Sequence, residues 1–224
     1  IWIGTQSSGI YSYDTGKGEF NHFNWPVNVI NKDNAQFYIS IAEQKNGLVL
    51  IANRDTIFTI DQENRELTPL IEFKNIFKNK EKIKDLYIDG SIVYVSTSSL
   101  IYAYSLTTKS LKVFPYDSNE QTTGEDINDI VVTNNRLWIA SLDGLYSAPL
   151  ERVEKFLNEE EPAPIFEHLL TDLAVHSMVI HQESLFLATQ NGLFSFDTNK
   201  RKAKFLWSFN KSKYRLDNNL IKNL

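Results

Sequence analysis

The amino-acid sequence predicts an all-β fold built from β-propeller blades, each made of four antiparallel strands. Three observations lead to this prediction. One short motif recurs at a nearly constant spacing, a second motif follows each copy of it, and in the second motif aromatic residues alternate with small ones. Such alternation is typical of strands, and four strands in roughly 45 residues, repeated in series, are typical of propeller blades.

The first motif is an apolar, aromatic, apolar, small, polar run, with Leu50 in place of the aromatic residue in the second copy, and it predicts one strand of each unit. Its copies are Ile1–Thr5, Val49–Asn53, Val93–Thr97, Leu137–Ser141 and Leu185–Thr189, which are 48, 44, 44 and 48 residues apart from start to start. A sandwich or barrel also contains short alternating strands, but it gives no reason for one pattern to recur at one period. The even spacing therefore favours a propeller.

The second motif comes after a short turn and predicts the next strand. Its copies are Gly9–Asp14, Thr56–Asp61, Leu100–Ser105, Gly144–Pro149 and Gly192–Asp197. Each copy carries an aromatic residue at its third position, namely Tyr11, Phe58, Tyr102, Tyr146 and Phe194. Glycine or a polar pair before the motif marks a hairpin, so the two motifs form adjacent antiparallel strands.

Two less regular strands complete each unit, one before the first motif and one after the second. The predicted boundaries are a partial blade at 1–23, blades at 37–73, 83–116, 127–170 and 173–209, and the first strand of a further blade at 219–224. The blade at 127–170 carries an insertion at 151–161, in which Val153, Phe156 and Leu157 share one helical face. We therefore expect a short surface helix in this insertion.

These boundaries give about five blade equivalents in a single propeller domain or arc over residues 1–224. Five blades can close into a ring if the strand at 219–224 completes the blade begun at 1–23, because that pairing leaves no free edge. The same spacing also suits an arc of a longer array. We expect the arc, as part of a larger, seven-bladed propeller, since the chain begins at Ile1 inside a strand rather than at Met.

The composition and charge of the chain argue against several classes of function. The sequence has no cysteine, which excludes thiol catalysis, cysteine-bound zinc and iron–sulfur clusters. Its 28 acidic against 23 basic residues give a formal charge of -5, which argues against a nucleic-acid partner. No stretch approaches the ~20 apolar residues of a membrane span, so we expect no direct membrane insertion.

The two motifs together carry a resemblance to a known family. Trp2–Thr5 followed by Gly9–Asp14, with echoes at 137–146 and 185–197, resembles the two-component regulator propeller repeat. The run Asn218–Ile221 is similar to the segment that opens such repeats. The likeness extends over essentially the whole chain and is weakest in the second unit.

The resemblance implies the periplasmic sensor region of a hybrid two-component system, in a parent protein that is anchored in the inner membrane and carries a histidine kinase inside. Members of this family typically respond to oligosaccharides, so the resemblance implies a non-catalytic segment with an oligosaccharide ligand. It also implies protein partners. These are the neighbouring propeller and the downstream domains of the same chain, together with a homodimer formed through the parent receptor.

Candidate binding residues follow from the usual place of binding in propellers, the loops at one rim. We expect one rim of the propeller to carry two kinds of loop, those between second and third strands and those between blades. We expect the ligand-binding residues to be Gln6, Trp25, Arg54, Asp143, Gln190, Asn191, Tyr214 and Arg215. Their aromatic, amide and charged groups can hold a sugar by stacking and hydrogen bonding.

We expect no catalytic residue, no metal and no cofactor. Asp14, Asp61 and Asp197 recur at one position of the blade, and we interpret them as turn residues whose carboxylates accept backbone hydrogen bonds. His176 and His181 lie on opposite faces of a predicted strand and therefore do not share a metal. The aromatic residues of the first motif, Trp2, Tyr94, Trp138 and Phe186, are interpreted as packing between blades.

Two other functions stay open on the sequence alone. A propeller-fold enzyme that acts on glycans, a lyase or a glycosidase, predicts carboxylates or histidines that converge on one point. A purely structural scaffold for protein interactions predicts a broad exposed apolar rim and no affinity for small molecules.

Overall fold

The computed structural model describes residues 1–5, 8–26, 40–44, 47–77, 81–97, 99–114 and 127–207. Within these ranges it contains nineteen strands in five antiparallel sheets, and one helix. The prediction of an all-β fold made of propeller blades is confirmed.

Each sheet is one blade, and its strands pair in chain order. Blade 1 contains β1 (Trp2–Gly4), β2 (Ile10–Asp14) and β3 (Glu19–Phe23). Blade 2 contains β4 (Ser40–Glu43), β5 (Val49–Ala52), β6 (Thr56–Asp61) and β7 (Glu66–Glu72). Blade 3 contains β8 (Asp85–Asp89), β9 (Ile92–Ser96), β10 (Ile101–Ser105) and β11 (Leu111–Phe114). Blade 4 contains β12 (Ile127–Thr133), β13 (Arg136–Ser141), β14 (Gly144–Pro149) and β15 (Glu167–Leu169). Blade 5 contains β16 (Val175–His181), β17 (Ser184–Thr189), β18 (Gly192–Asp197) and β19 (Lys202–Trp207).

The chain divides into two compact units, Ile1–Ser91 and Ile92–Leu224, with the boundary in the turn between β8 and β9. One core cluster of the first unit lies between blades 1 and 2. It consists of Ile10, Phe23, Trp25, Val49, Ile51, Phe58 and Leu67. These side chains come mainly from the two repeated motifs, so the recurring apolar positions are the ones that face a neighbouring blade.

In the second unit, apolar residues of the repeated motifs likewise pack between blades 4 and 5. Trp138 of β13 is fully buried and meets Phe196 of β18 edge-on, with ring centroids 5.5 Å apart. Its indole N–H donates a hydrogen bond to the carbonyl oxygen of Thr133 at 3.2 Å. Burial of an aromatic ring whose N–H group has a hydrogen-bond partner is strongly stabilising. The Trp138 ring thus packs between consecutive blades, as the sequence predicted.

Polar side chains also join the first strands of consecutive blades. In the second unit, Asp129 of β12 accepts hydrogen bonds from the Ser177 hydroxyl at 3.2 Å and from the Met178 backbone N–H at 2.6 Å. In the first unit, the Ser40 hydroxyl donates to Asp85 at 2.9 Å and accepts from the Leu86 N–H at 3.1 Å. These bonds fix how neighbouring first strands align.

The expected insertion contains α1 (Leu150–Leu157), which follows β14 directly. Val153 is fully buried, and the helix packs on its own blade through this face. The helix ends at Leu157 rather than at Glu161, because Glu159 adopts a positive φ of 66° and the chain turns back. No helix in the described ranges is long and apolar enough to cross a membrane.

Candidate functional site

The turns between second and third strands share one construction. At the end of each second strand, or directly after it, lies a buried or half-buried residue with a side-chain oxygen. That oxygen accepts the backbone N–H of a residue two or three positions further along the chain, at 3.1 Å. The residues are Thr5, Asn53, Thr97, Ser141 and Thr189. We call this bond the turn lock. The polar last position of the first motif therefore shapes each of these turns, which local side-chain bonding to the backbone explains.

Four of the predicted binding residues lie in these turns. Arg54 and Asp143 are half-buried, whereas Gln190 and Asn191 are exposed. Arg54 belongs to the first unit and the other three belong to the second, in which Asp143 comes from blade 4 and the two amides from blade 5. Their role in binding stays a prediction.

The other predicted residues lie elsewhere. Trp25 is 5% exposed and belongs to the core of the first unit, where its ring lies 5.4 Å from that of Phe58. Gln6, Tyr214 and Arg215 lie outside the described residues. The amides Gln190 and Asn191 are thus the predicted side chains that the structure describes with free access to solvent.

Asp143 is engaged within its own turn. Its Oδ2 accepts a hydrogen bond from the Tyr146 hydroxyl at 2.5 Å, and its Oδ1 accepts one from the Ser141 hydroxyl. His168 of β15 places Nε2 3.1 Å from the carbonyl oxygen of Asp143, and its ring stacks on Tyr146 with centroids 4.1 Å apart. The carboxylate must leave these partners before it can contact a ligand.

Blade 1 repeats this arrangement. His22 stacks on Tyr11 with centroids 4.5 Å apart, and its Nε2 lies 2.5 Å from the carbonyl oxygen of Ser8 in the corresponding turn. In both blades a histidine of the fourth strand therefore closes the turn before the third strand. This role of His22 and His168 was not predicted from the sequence, although both blades share a Gly-x-Tyr run where the third strand begins.

Ser141, Asp143 and His168 are the residue types of a hydrolytic triad, but their geometry does not match one. Catalysis by serine requires the hydroxyl to donate to a histidine base. Here the Ser141 hydroxyl is fully buried and donates to Asp143, and His168 faces a backbone carbonyl. The group fits a turn rather than a nucleophile.

The recurring aspartates have the role that the sequence predicts. The Asp61 carboxylate accepts the backbone N–H groups of Glu63 and Asn64 at 2.9 and 3.0 Å, and Asp14 and Asp197 do the same in their own turns. These backbone bonds are the main cause that lowers the pKa of each carboxyl below its ordinary value. Such a carboxyl stays ionised near neutral pH and does not serve as a general acid. The described ranges contain no group of three or more His, Asp or Glu residues that could hold a metal ion.

The fold class that these sheets define is the β-propeller, and solved propeller structures resemble the chain closely in backbone. No known family model matches the sequence, and no curated protein is significantly similar to it. The extracellular domain of the hybrid two-component system BT4673 from B. thetaiotaomicron matches with a TM-score of 0.70 and 16% identity, over 99% of this chain and 28% of that one.

Two further solved structures have the same fold. The extracellular domain of the hybrid two-component system BT3049 from B. thetaiotaomicron matches with a TM-score of 0.68 and 18% identity, over 98% of this chain and 28% of that one. PorZ, a bacterial surface component of the type-IX secretion system of Porphyromonas gingivalis, matches with a TM-score of 0.70 and 16% identity, over 97% of this chain and 33% of that one. The chain thus spans a third or less of each of these proteins, and at such identities the likeness shows the fold.

Proposed function

We propose that this chain is a non-catalytic, ligand-sensing propeller segment from the periplasmic region of a two-component signalling receptor that responds to oligosaccharides. One observation carries the proposal: the fold matches the extracellular domains of two hybrid two-component systems over 98% and 99% of the chain. The resemblance of Trp2–Thr5 and Gly9–Asp14 to the two-component regulator propeller repeat supports the same class independently.

The rim suits the presentation of binding residues. The Thr189 hydroxyl bonds to the backbone of both Asn191 and Gly192, so the exposed amides of Gln190 and Asn191 stand on a fixed backbone. An amide offers a donor and an acceptor, which matches the hydroxyl groups of a sugar. Ligand binding would then shift a conformational population in the parent receptor, in contact with the neighbouring propeller, the downstream domains and a second copy of the receptor.

A second function is favoured by one specific observation. PorZ, a surface component of a secretion system, matches this chain with the same TM-score as BT4673. We therefore keep a protein-interaction scaffold at the bacterial surface as the alternative. The sensor and the scaffold can be told apart by affinity for glycans, because a protein-interaction scaffold does not need to bind them.

The test is isothermal titration calorimetry of the purified chain against a panel of neutral and acidic oligosaccharides, with chromatography of each glycan after incubation. We expect micromolar to millimolar binding of one glycan class without turnover. Gln190→Ala should weaken this binding about 3- to 10-fold, the usual effect of one lost hydrogen bond.

The matched control is Gln182→Ala. Gln182 is an exposed amide in the turn between β16 and β17, at the opposite end of β17 from Gln190, and its removal should leave binding unchanged. A panel without any binding would favour the scaffold. Shortened or unsaturated glycan products would instead favour a glycosidase or a lyase.

A further inference from the structure

The second unit contains a cavity that the predicted binding residues do not line. It has a volume of about 290 Å³ and lies between the outer strands of blade 3 and the end of α1. Its position depends on α1, an element that only blade 4 carries within the described ranges. The insertion therefore forms a concave surface that a blade of four strands without a helix does not have.

The turn after α1 forms one wall of this cavity. Glu159, with its positive φ, directs its carboxylate at the Lys112 ammonium of β11, and Glu159 Oε1 lies 2.6 Å from Lys112 Nζ. The ammonium also lies 5.9 Å from the centre of the Phe156 ring. Only 25% of the Lys112 side chain is exposed, whereas 77% of the Glu159 side chain is exposed. The Lys112 side chain is thus mostly buried, whereas the Glu159 side chain is accessible to a ligand.

The lining combines an apolar wall with a row of hydroxyl groups. Ile92, Ala103 and Leu157 form the apolar part. Three hydroxyls come from Ser105 at the end of β10 and from Thr108 and Ser110 in the turn that follows, and the hydroxyls of Thr108 and Ser110 lie 2.7 Å apart. A pyranose has the matching surface, since it presents an apolar ring face and a rim of hydroxyl groups that both donate and accept.

Size and charge narrow the ligand further. Pockets for drug-sized molecules begin at about 300 Å³, so this cavity accommodates about one sugar ring and not a longer segment. The positive charge of Lys112 is balanced by the negative charge of Glu159. The pair offers a donor for one hydroxyl and an acceptor for the next, whereas an anionic ligand would meet the Glu159 carboxylate at close range.

We propose that this cavity binds one neutral sugar residue, held by Lys112, Glu159 and the hydroxyls of the turn between β10 and β11. This inference rests on the proposed response to oligosaccharides and adds a site within the second unit. The α1 insertion is then a binding element, since its last turn supplies the carboxylate and part of the apolar wall.

The test uses the purified chain and the methyl glycosides of glucose, galactose, mannose and xylose, with glucuronate as the anionic comparator. Saturation-transfer NMR detects binding, and a titration gives Kd. We expect millimolar binding of at least one neutral glycoside and weaker binding of glucuronate. Lys112→Met keeps the aliphatic stem and removes the ammonium, so it should weaken binding about tenfold or more.

Lys155→Met is the matched control. Lys155 lies on α1 and pairs with Glu151 at 2.8 Å, but it does not line the cavity, so binding should stay unchanged. Ser110→Ala leaves the pair of Lys112 and Glu159 intact and should weaken binding about 3- to 10-fold, which separates loss of contact from loosening of the helix. Circular dichroism and the Tm verify that each variant is folded.

Four results would overturn the proposal: unchanged affinity in Lys112→Met, equal losses in Lys112→Met and Lys155→Met, tighter binding of glucuronate than of any neutral glycoside, or no binding of any monosaccharide. If an oligosaccharide still binds in the last case, the cavity site is wrong while the proposed sensing function stands. If no glycan of any length binds, the sensing function is wrong as well.

Discussion

Single residues decide the form of each turn. The buried hydroxyl of Thr189 donates to the Gly192 carbonyl at 2.8 Å and accepts the Asn191 N–H at 3.1 Å, so one side chain satisfies two backbone groups. The stacked histidines His22 and His168 close two of these turns from the fourth strand. Turns made in this way leave few unsatisfied polar atoms at the ends of buried strands.

Gly144 shows how tightly such a turn is closed. Its φ is 147°, and a Cβ there would lie 2.8 Å from His168 Nε2 and 2.8 Å from the Leu169 carbonyl oxygen. Gly144→Ala should therefore cost about 2–4 kcal/mol in the free energy of unfolding, from overpacking together with backbone strain. Gly18→Ala is the control, because Gly18 also has a positive φ of 71° but has open space around its Cβ position.

The control should cost about 1 kcal/mol, the usual penalty for alanine in a left-handed conformation. Urea unfolding of the purified chain, followed by tryptophan fluorescence, measures both values. Equal losses in the two variants would show that the contact with His168 and Leu169 does not constrain this turn.

The sequence predicted part of this residue-scale detail. The aspartates of the third strands were interpreted correctly because their bonds reach only two or three residues along the chain. The contacts of Tyr11 with His22 and of Tyr146 with His168 were not predicted, because each depends on the register between two paired strands. The burial of Trp25 depends on Phe58 of the next blade, which is a contact between distant segments.

At the scale of elements, the alignment of neighbouring blades depends on the first strands. Asp129 of β12 receives one hydrogen bond from a side chain and one from the backbone of β16. Asn128 adds a third bond between these strands, since its amide donates to the Val175 carbonyl at 2.8 Å. Such bonds between blades act in addition to the apolar contact of Trp138 with Phe196.

Asp129→Ala should lower the free energy of unfolding by about 2–3 kcal/mol, because it leaves the Met178 N–H and the Ser177 hydroxyl without this acceptor. Ser177→Ala removes one of the two bonds and should cost about 1 kcal/mol. Hydrogen exchange of β16 tests the location of the effect, and Asp129→Ala should accelerate exchange there more than in β19. A loss in Asp129→Ala no larger than in Ser177→Ala would contradict this role.

The elements themselves were largely predictable, because alternation and recurrence are visible in the sequence. The end of α1 was not predicted, since it depends on the positive φ of Glu159 rather than on the apolar face of the helix. The cavity was not predicted for the same reason. Lys112 and Glu159 are 47 residues apart, and only the turn after α1 brings them together.

At the scale of the whole molecule, the charge state of the turns makes stability depend on pH. Backbone hydrogen bonds lower the pKa of Asp14, Asp61 and Asp197 in the folded chain below their ordinary value of 3.8. Each of these carboxylates therefore stabilises the fold above that value, and the stabilisation is lost as the pH falls through the folded pKa. Burial raises the pKa of Asp89, so its contribution has the opposite sign.

The chain should accordingly lose stability between pH 5 and pH 3. Asp61→Asn should reduce this loss, because the amide oxygen still accepts the two turn N–H groups but does not titrate over this range. Asp89→Asn should increase the loss, because it removes a group whose protonation favours the folded state. Urea unfolding midpoints at pH 7, 5 and 3 give the dependence of stability on pH for the unmodified chain and for the two variants. If both variants change this dependence in the same direction, these pKa changes do not govern the response to acid.

The turn locks have a consequence for how such a molecule can change. In the turn between β17 and β18 the Thr189 lock acts on the backbone of Asn191 and Gly192, so the side chains at 190–191 are not part of it. Those positions can be diversified together, as the contact loops of an antibody are, while the framework stays constant. Combinatorial libraries at these paired sites are therefore a direct route to propellers with new recognition properties.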